Sequence, residues 1–166
     1  SLPFKKNPMT KEISMTAIDA QGRALLDQQA LKLLVDTFSN LADEKRVEEQ
    51  MQLFTADAQV TTYIGGQLFG DARGRDQIGK SFSDYLALFH TVYHHNGQFV
   101  PTLGADSASA IHYCQVMLVG EQAGQNLLTT HAVRYQDDYV KSDGRWLIAR
   151  RVAHFVITET RELGVA

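Results

Sequence analysis

Histidine, the side chain best suited to proton transfer near neutral pH, occurs as an adjacent pair in the segment Tyr93-His94-His95-Asn96. Its ordinary pKa of about 6.5 lets the imidazole both accept and donate a proton under physiological conditions. Alternation of the flanking residues predicts a β-strand, in which neighbours point to opposite faces. At most one of His94 and His95 can therefore face a given cavity.

Two further histidines, His112 and His131, fall in later alternating segments and add candidate ligand contacts. Tyr135 and Asp137 are two positions apart and therefore share a strand face. An apolar surface that bears a few polar groups of this kind is suited to binding a small molecule. The same surface would also suit a subunit interface. None of the usual zinc-ligand spacings is present, so we expect no metal site.

Arg150 and Arg151 point to opposite faces of their strand if it alternates regularly. One of them could bind an acidic substrate group or pair with a buried carboxylate, since an arginine removed from water needs a partner. Arg150 is the candidate taken forward. The other arginine is then expected to be exposed.

Several classes of function lack support in the composition and motifs. Sixteen Lys and Arg against 19 Asp and Glu give a formal charge of -3, without a basic run for nucleic acid. The glycine-containing segments match neither a phosphate loop nor a dinucleotide fingerprint, and no Gly-x-Ser-x-Gly motif occurs. Cys114, the single cysteine, is expected to be a small buried hydrophobe. We expect no cofactor, no nucleic acid partner and no membrane partner.

Helical periodicity is confined to the first part of the chain. Apolar residues at steps of three and four predict helices over about Asp27–Ala42 and Arg75–Phe89. Asp43 is a plausible N-cap for a further helix whose stripe is Val47, Met51 and Phe54. Residues 1–20 are expected to form an arm that is mobile or packs on a neighbouring subunit, ahead of one domain over residues 21–166.

Alternation with a period of two dominates the rest of the chain. Ala58–Ile64 and Gln67–Gly70 predict a hairpin around Gly65-Gly66. After Thr91, four segments predict an antiparallel meander: Thr91–Pro101, Ser107–Val119, Gln125–Val140 and Arg145–Thr158. Asp143-Gly144 is a strong hairpin signal, because both residue types tolerate positive φ. Helices on one face of a curved antiparallel sheet give an α+β fold, with an apolar pocket on the concave face.

Three segments give the chain a family resemblance: RYQDDYVKSDGRWLIARR at Arg134–Arg151, LFTADAQV at Leu53–Val60 and GRDQI at Gly74–Ile78. With these, residues 25–158 resemble the SnoaL-like branch of the nuclear-transport-factor-2-like superfamily. The resemblance implies a cone-shaped sheet closed by three N-terminal helices. It also favours His94 as the pocket histidine, at the place where scytalone dehydratases carry one.

The resemblance is incomplete at the catalytic positions. The strand that carries the aspartate base of ketosteroid isomerases reads AQVTTY here, and Phe38-Ser39 stands where scytalone dehydratases have a Tyr-Asp pair. Asp36, Tyr63 and Asp57 are the residues that could substitute, with His94 as the acid/base. Asp57 is expected instead to end a helix, so Asp36 and Tyr63 are the candidates. The predicted ligand contacts are Phe38, Phe89, His112, His131, Tyr135 and Arg150.

Two functional hypotheses follow from this pattern. The first is a cofactor-free dehydratase or isomerase that acts on a small hydrophobic cyclic or polyketide-like molecule. The second is a non-catalytic binding or assembly module of the same fold, including one like the small subunit of a ring dioxygenase. We also expect a cytoplasmic protein that forms dimers or trimers through the outer sheet face.

Overall fold

The computed structural model describes the backbone of residues 8–164 and the side chains of residues 17 and 19–164. Three helices, α1 (Pro8–Asp43), α2 (Val47–Met51) and α3 (Gly74–Leu86), occur within that range. They combine with six strands: β1 (Phe54–Ile64), β2 (Gln67–Arg73), β3 (Thr91–Leu103), β4 (Ser107–Gln122), β5 (Gln125–Ser142) and β6 (Arg145–Glu162). The α+β class and the four-stranded meander predicted from the sequence are confirmed.

Helix α1 begins much earlier than the apolar stripe from Asp27 predicts, because its backbone is already helical at Pro8. Residues 1–7 of the expected N-terminal arm lie outside the described residues. The prediction that Asp43 caps the second helix is wrong: α1 continues through Asp43, and Arg46 occupies the N-cap of α2 without a capping side-chain bond. Phe54 likewise starts β1 and does not continue the helix.

The strands form one sheet in the order β2-β1-β6-β5-β4-β3. All neighbouring pairs are antiparallel except β1 and β6, which are parallel. Asp143 and Gly144 have φ values of 51° and 75°, as a tight hairpin turn between twisted strands requires. This turn sets the register in which β5 and β6 pair, and so determines which of their side chains face the helices.

Two irregularities in the pairing of β5 and β6 change the alternation that a regular strand would have. Tyr139 pairs with Ile148 while Asp138 pairs with Arg150, so Ala149 is an extra residue in β6. Ile148 and Arg151 are consequently both buried, although regular alternation would place them on opposite faces. The residues of β6 from Arg150 to Phe155 are therefore shifted by one position relative to the sequence pattern, up to the second extra residue, Val156.

The helices pack on the concave face of the sheet and close one end of it with aromatic side chains. Phe38 of α1, Phe54 of β1 and Phe82 of α3 make edge contacts at ring-centroid distances of 5.9–6.2 Å. Such contacts add to the burial energy of each ring. The three rings tie both long helices to the sheet and form one end of an internal space.

The outer face of the sheet carries exposed large side chains on β3 and β4. Tyr93, Val100, Ile111 and Tyr113 are each 40–66% exposed. They match the sequence expectation of an apolar outer surface, and self-association through it stays a prediction. No helix in the described part of the chain is long and apolar enough to span a membrane.

Candidate functional site

A cavity of about 110 Å³ lies between the helices and the concave face of the sheet. Most of its wall is apolar: Phe38, Ala42, Val60, Phe82, Leu86, Val116, Leu118, Ala153 and Phe155. The polar side chains on the wall are Gln50, Thr62, Tyr85, His94, His131, Tyr135 and Arg151. An apolar chamber with a few convergent polar groups is the usual form of a small-molecule site.

His94 meets a carboxylate at the edge of this cavity. Its Nδ1 lies 2.7 Å from Oδ1 of Asp43, and its backbone N–H donates to Oδ2 of Asp43 at 3.2 Å. The His94 side chain is 9% exposed and that of Asp43 is 28% exposed. Since α1 ends at Asp43 and β3 starts near His94, the junction of helix and sheet brings together two residues 51 positions apart.

The structure does not bring His94 together with the partners proposed from the sequence. Asp36 lies about two turns before Asp43 on α1, pairs with Lys32 at 2.6 Å and accepts a hydrogen bond from Asn96. Tyr63 is absent from the cavity wall, where its neighbour Thr62 lies, and its ring stacks on His154 at 5.3 Å. Asp43 takes the place beside His94 that Asp36 and Tyr63 were predicted to fill.

The structure distinguishes the adjacent histidines His94 and His95 by the face of β3 on which each side chain lies. His95 is exposed and pairs with Gln115 across the strands, while His94 lies inward opposite Val116. This is the alternation expected of a regular strand. It makes His95 a matched control for any substitution of His94.

A second histidine, His131, faces the same cavity and pairs with Tyr85. His131 Nε2 lies 2.6 Å from the hydroxyl of Tyr85, and His131 Nδ1 lies 2.9 Å from Oγ1 of Thr158. Burial, with a smaller contribution from the charge of His94, lowers the pKa of His131. Burial also raises the pKa of Tyr85. The arrangement therefore favours a neutral imidazole bonded to a protonated phenol.

Arg151 is buried in the cavity wall and held by a carboxylate. Its Nε and Nη2 each donate to Asp137 at 2.9 Å, and its guanidinium lies 4.1 Å from the ring centre of Tyr135 and 4.3 Å from that of Phe38. A planar guanidinium suits both the two-point pairing and the stacking. The side chain is thus fixed in one orientation.

Asp137 is the centre of this buried network. Besides Arg151 it binds Nε2 of His112 at 2.8 Å and the hydroxyl of Tyr139 at 2.7 Å. Burial alone would raise the pKa of Asp137, but the Arg151 charge and the hydrogen bonds hold it well below its usual value. Burial lowers the pKa of His112, which opposes a charge on that imidazole. Asp137 and Arg151 therefore form a charge-neutral pair.

The arginine chosen from the sequence is the wrong one. Arg150 is exposed, whereas Arg151 is 1% exposed and lines the cavity. The bulge at Ala149 is the physical reason, because it reverses the faces of the residues that follow. No composition or spacing in the sequence marks that bulge.

The other predicted ligand contacts divide between the wall and the layer behind it. Phe38, His131 and Tyr135 line the cavity. Phe89 lies behind Tyr85, with ring centres 5.2 Å apart, and His112 lies behind Arg151 on Asp137. The polar groups that the sequence did not assign are Gln50, Thr62, Tyr85 and Arg151 on the cavity wall, and Asp43 beside His94.

Potential metal ligands do not cluster in the described residues: no group of three or more His, Cys, Asp or Glu side chains is placed to share an ion. His94, the cavity histidine with a carboxylate partner, has one such neighbour, Asp43. The described part of the cavity wall therefore carries side chains that can transfer protons or form hydrogen bonds.

Cys114 should resist thiol reagents in the native protein. It is 3% exposed, and burial raises the pKa of its thiol to about 12, so almost no reactive thiolate exists at pH 8. Incubation with iodoacetamide followed by mass spectrometry should show no adduct until the protein is unfolded in guanidinium chloride. Rapid labelling of the folded protein would contradict the placement of Cys114.

Comparisons with known proteins add a family match and several similar folds. A model of the SnoaL-like domain family matches residues 23–152. An uncharacterised protein of Mycobacterium tuberculosis is 32% identical over 122 residues, which cover 73% of this chain and 79% of that protein. Among solved structures, a protein of Novosphingobium aromaticivorans provisionally named a scytalone dehydratase has a TM-score of 0.75 at 22% identity, covering 88% of this chain and 95% of that one.

A hexachlorocyclohexane dehydrochlorinase of Novosphingobium barchaimii also has a similar structure. Its TM-score is 0.69 at 16% identity, and the match covers 83% of this chain and 92% of that chain. At such low identity both structural matches support the fold alone. The chemistry of this chain must come from its own cavity residues.

Proposed function

Since the chain belongs to the SnoaL-like domain family, we propose that it is a cofactor-independent enzyme in which His94 removes a proton from a small hydrophobic ring compound. The observation that carries this proposal is the pairing of His94 with Asp43 at the edge of an apolar cavity. Elimination and isomerisation both begin with removal of a proton from carbon. The proposal therefore covers a dehydratase-type or an isomerase-type reaction.

Asp43 gives His94 the properties that a general base needs. A carboxylate bonded to Nδ1 holds the ring proton there, which leaves the lone pair of Nε2 to accept a proton. The same carboxylate stabilises the imidazolium ion that forms. In the described residues no side chain hydrogen-bonds Nε2 of His94. Because His94 lines the cavity, that nitrogen is the group that a substrate would meet.

Tyr85 and His131 supply the complementary acid. Burial keeps the hydroxyl of Tyr85 protonated by raising its pKa, and that hydroxyl already lies against His131. In an elimination, His94 takes the proton, the C–H electron pair forms the double bond, and the leaving group departs with its own pair. A hydroxide leaving group needs a proton, which the Tyr85–His131 pair is placed to donate.

The size and lining of the cavity limit the substrate class. An apolar cavity of roughly 150 Å³ holds a benzene molecule, and this one measures about 110 Å³. A single ring fits that space better than a fused polycyclic compound. The names of two structural neighbours, a dehydratase and a dehydrochlorinase, denote eliminations and support the same reaction type.

Hydrogen–deuterium exchange tests the first chemical step without knowledge of the natural substrate. One-ring cyclic ketones in deuterium oxide should lose the proton signals beside the carbonyl faster with the protein than in buffer, as followed by NMR. The exchange requires only removal of a proton from carbon, which is the step assigned to His94. Exchange with the wild type that is no faster than with His94→Ala would favour the non-catalytic binding module.

A further inference from the structure

Two buried polar atoms of the cavity wall have no hydrogen-bond partner. They are the amide oxygen Oε1 of Gln50 and the guanidinium nitrogen Nη1 of Arg151, and both side chains are 1% exposed. The other two unpartnered side-chain atoms in the described residues, on Thr55 and His112, do not belong to the cavity wall. A buried polar atom without a partner destabilises the folded state, so two in one apolar cavity call for an occupant.

The orientation of the Gln50 amide is set by the backbone of α1. Nε2 of Gln50 donates to the carbonyl oxygen of Phe38 at 3.1 Å. Exchanging the amide nitrogen and oxygen would place two acceptors against each other there. The free atom is therefore the oxygen, and Gln50 offers the cavity an acceptor without a charge.

The orientation of Arg151 is equally determined. Its Nε and Nη2 edge is occupied by Asp137, so Nη1 points away from that carboxylate. The rings of Phe38 and Tyr135 on its two faces prevent the guanidinium from turning. Arg151 therefore offers a donor whose positive charge is already balanced by Asp137.

A donor and an uncharged acceptor in one small cavity define the chemical group that fits them. We propose that Gln50 and Arg151 together bind a hydroxyl group of a neutral one-ring ligand, whose O–H donates to Oε1 of Gln50 and whose oxygen accepts from Nη1 of Arg151. Phe38 contacts both side chains, Gln50 through its carbonyl oxygen and Arg151 through its ring, and all three residues line the cavity. A hydroxyl satisfies both atoms at once.

A carbonyl group, a carboxylate and a methyl group each satisfy at most one of the two atoms. A ketone or aldehyde accepts from Arg151 but turns an oxygen lone pair toward the Gln50 oxygen. A carboxylate does the same with a full negative charge, which the neutral Arg151–Asp137 pair does not offset. A methyl group leaves both atoms unpaired. The wall therefore selects for hydroxyl over these groups.

This inference deepens the proposed function, on which it rests for the location of the reacting carbon near His94. The hydroxyl contact would fix one point of the ring, and the apolar wall would fix its plane. Binding of a ring alcohol needs no turnover, so the two proposals can fail separately.

A set of four ligands of nearly equal size tests the inference on the wild-type protein. Phenol, toluene, benzaldehyde and benzoate are titrated into isotope-labelled protein, and the dissociation constants are taken from NMR shifts. The two hydrogen bonds should give phenol a roughly tenfold lower Kd than toluene. Benzoate should bind most weakly. Equal binding of phenol and toluene, or tighter binding of benzoate or benzaldehyde than of phenol, would overturn the inference.

Substitutions at two glutamines test whether Gln50 causes the preference for phenol over toluene. Gln50→Met keeps the side-chain length but removes the acceptor, so the preference for phenol over toluene should fall from roughly tenfold to roughly threefold, because the Arg151 donor remains. Gln52→Met, at an exposed position two residues along the chain, should leave the preference unchanged. Retention of the full phenol preference by folded Gln50→Met would also overturn the inference. If Gln50→Met does not fold, the ligand order of the wild type decides alone.

Failure of this inference is distinguishable from failure of the proposed function. A preference for phenol without ketone exchange would support the hydroxyl site and contradict the proposed enzymatic function. Ketone exchange that depends on His94, without a preference for phenol, would support the proposed enzymatic function and contradict the hydroxyl site.

Discussion

Replacement of His94 by alanine is expected to lower the rate of ring-ketone exchange, and of turnover of the natural substrate, by about 10²–10⁴-fold. The loss follows from removing the group that accepts the proton in an otherwise apolar cavity. The melting temperature should change little, because Asp43 keeps its bond to the backbone N–H of residue 94. Exchange rates by NMR and thermal melts by circular dichroism measure the two effects.

His95→Ala is the matched control for that variant. His95 lies on the exposed face of the same strand, one residue along, and should alter neither rate nor melting temperature. Equal rate losses in the two variants, or a His94→Ala protein as active as the wild type, would remove His94 from the mechanism.

Asp43→Asn tests the role of the carboxylate in the same mechanism. The backbone N–H of His94 already donates to Oδ2 of Asp43, so an asparagine there would have to place its oxygen at that N–H. Its NH₂ group would then face Nδ1 and donate to it. That arrangement puts the ring proton on Nε2, the wrong nitrogen for a base facing the cavity. The rate should fall even though the imidazole remains in place.

Much of the fold follows from local sequence signals. The meander was predictable because its last turn, Asp143-Gly144, consists of residue types that tolerate positive φ, and because its strands alternate over long stretches. The start of α1 was not predictable from an apolar stripe, since the stripe begins only where the helix meets the sheet. The described side chains of α1 before Asp27 are mostly exposed, and a helical segment without a buried face shows no such periodicity.

The candidate site was only partly predictable, and the misses have specific causes. His94 and His131 stand in regular strand segments, so alternation correctly permits both to face inward. Arg151 follows the bulge at Ala149, which interrupts that alternation. Asp43 resembles a helix cap locally, and its partner His94 is 51 residues away. Long-range pairing of this kind depends on how α1 crosses the sheet, which local sequence does not encode.

Asp137→Asn is expected to cause the largest loss of stability of any conservative substitution considered. Asp137 is 2% exposed and is the carboxylate partner of Arg151, which is 1% exposed. Removing one member of a buried ion pair leaves the other charge unpaired and costs about 3–5 kcal/mol. Urea unfolding at pH 7 should show this decrease in the free energy of unfolding. Asp138→Asn, on the neighbouring exposed residue, is the control and should change stability little.

The Asp137–Arg151 pair also predicts how the difference in the free energy of unfolding between the wild type and Asp137→Asn varies with pH. The folded-state pKa of Asp137 is lowered, so in acid the unfolded chain binds this proton before the folded chain does. The stabilisation is fully present above the ordinary aspartate pKa of about 3.9 and declines as the pH falls below it. Unfolding experiments at pH 7, 5, 4 and 3 should therefore show the wild type losing its advantage only at the acidic end.

A double variant separates the structural role of the ion pair from its role in the cavity. Replacing both partners, with Asp137→Leu and Arg151→Met, removes both charges, and apolar replacements of buried ion pairs are often neutral or stabilising. The double variant should therefore unfold at a higher urea concentration than Asp137→Asn. It should nevertheless distinguish phenol from toluene less well than the wild type does, because Nη1 of Arg151 is gone. A double variant as unstable as Asp137→Asn would show that the contacts of His112 and Tyr139 with Asp137, and not the unpaired charge, account for the loss.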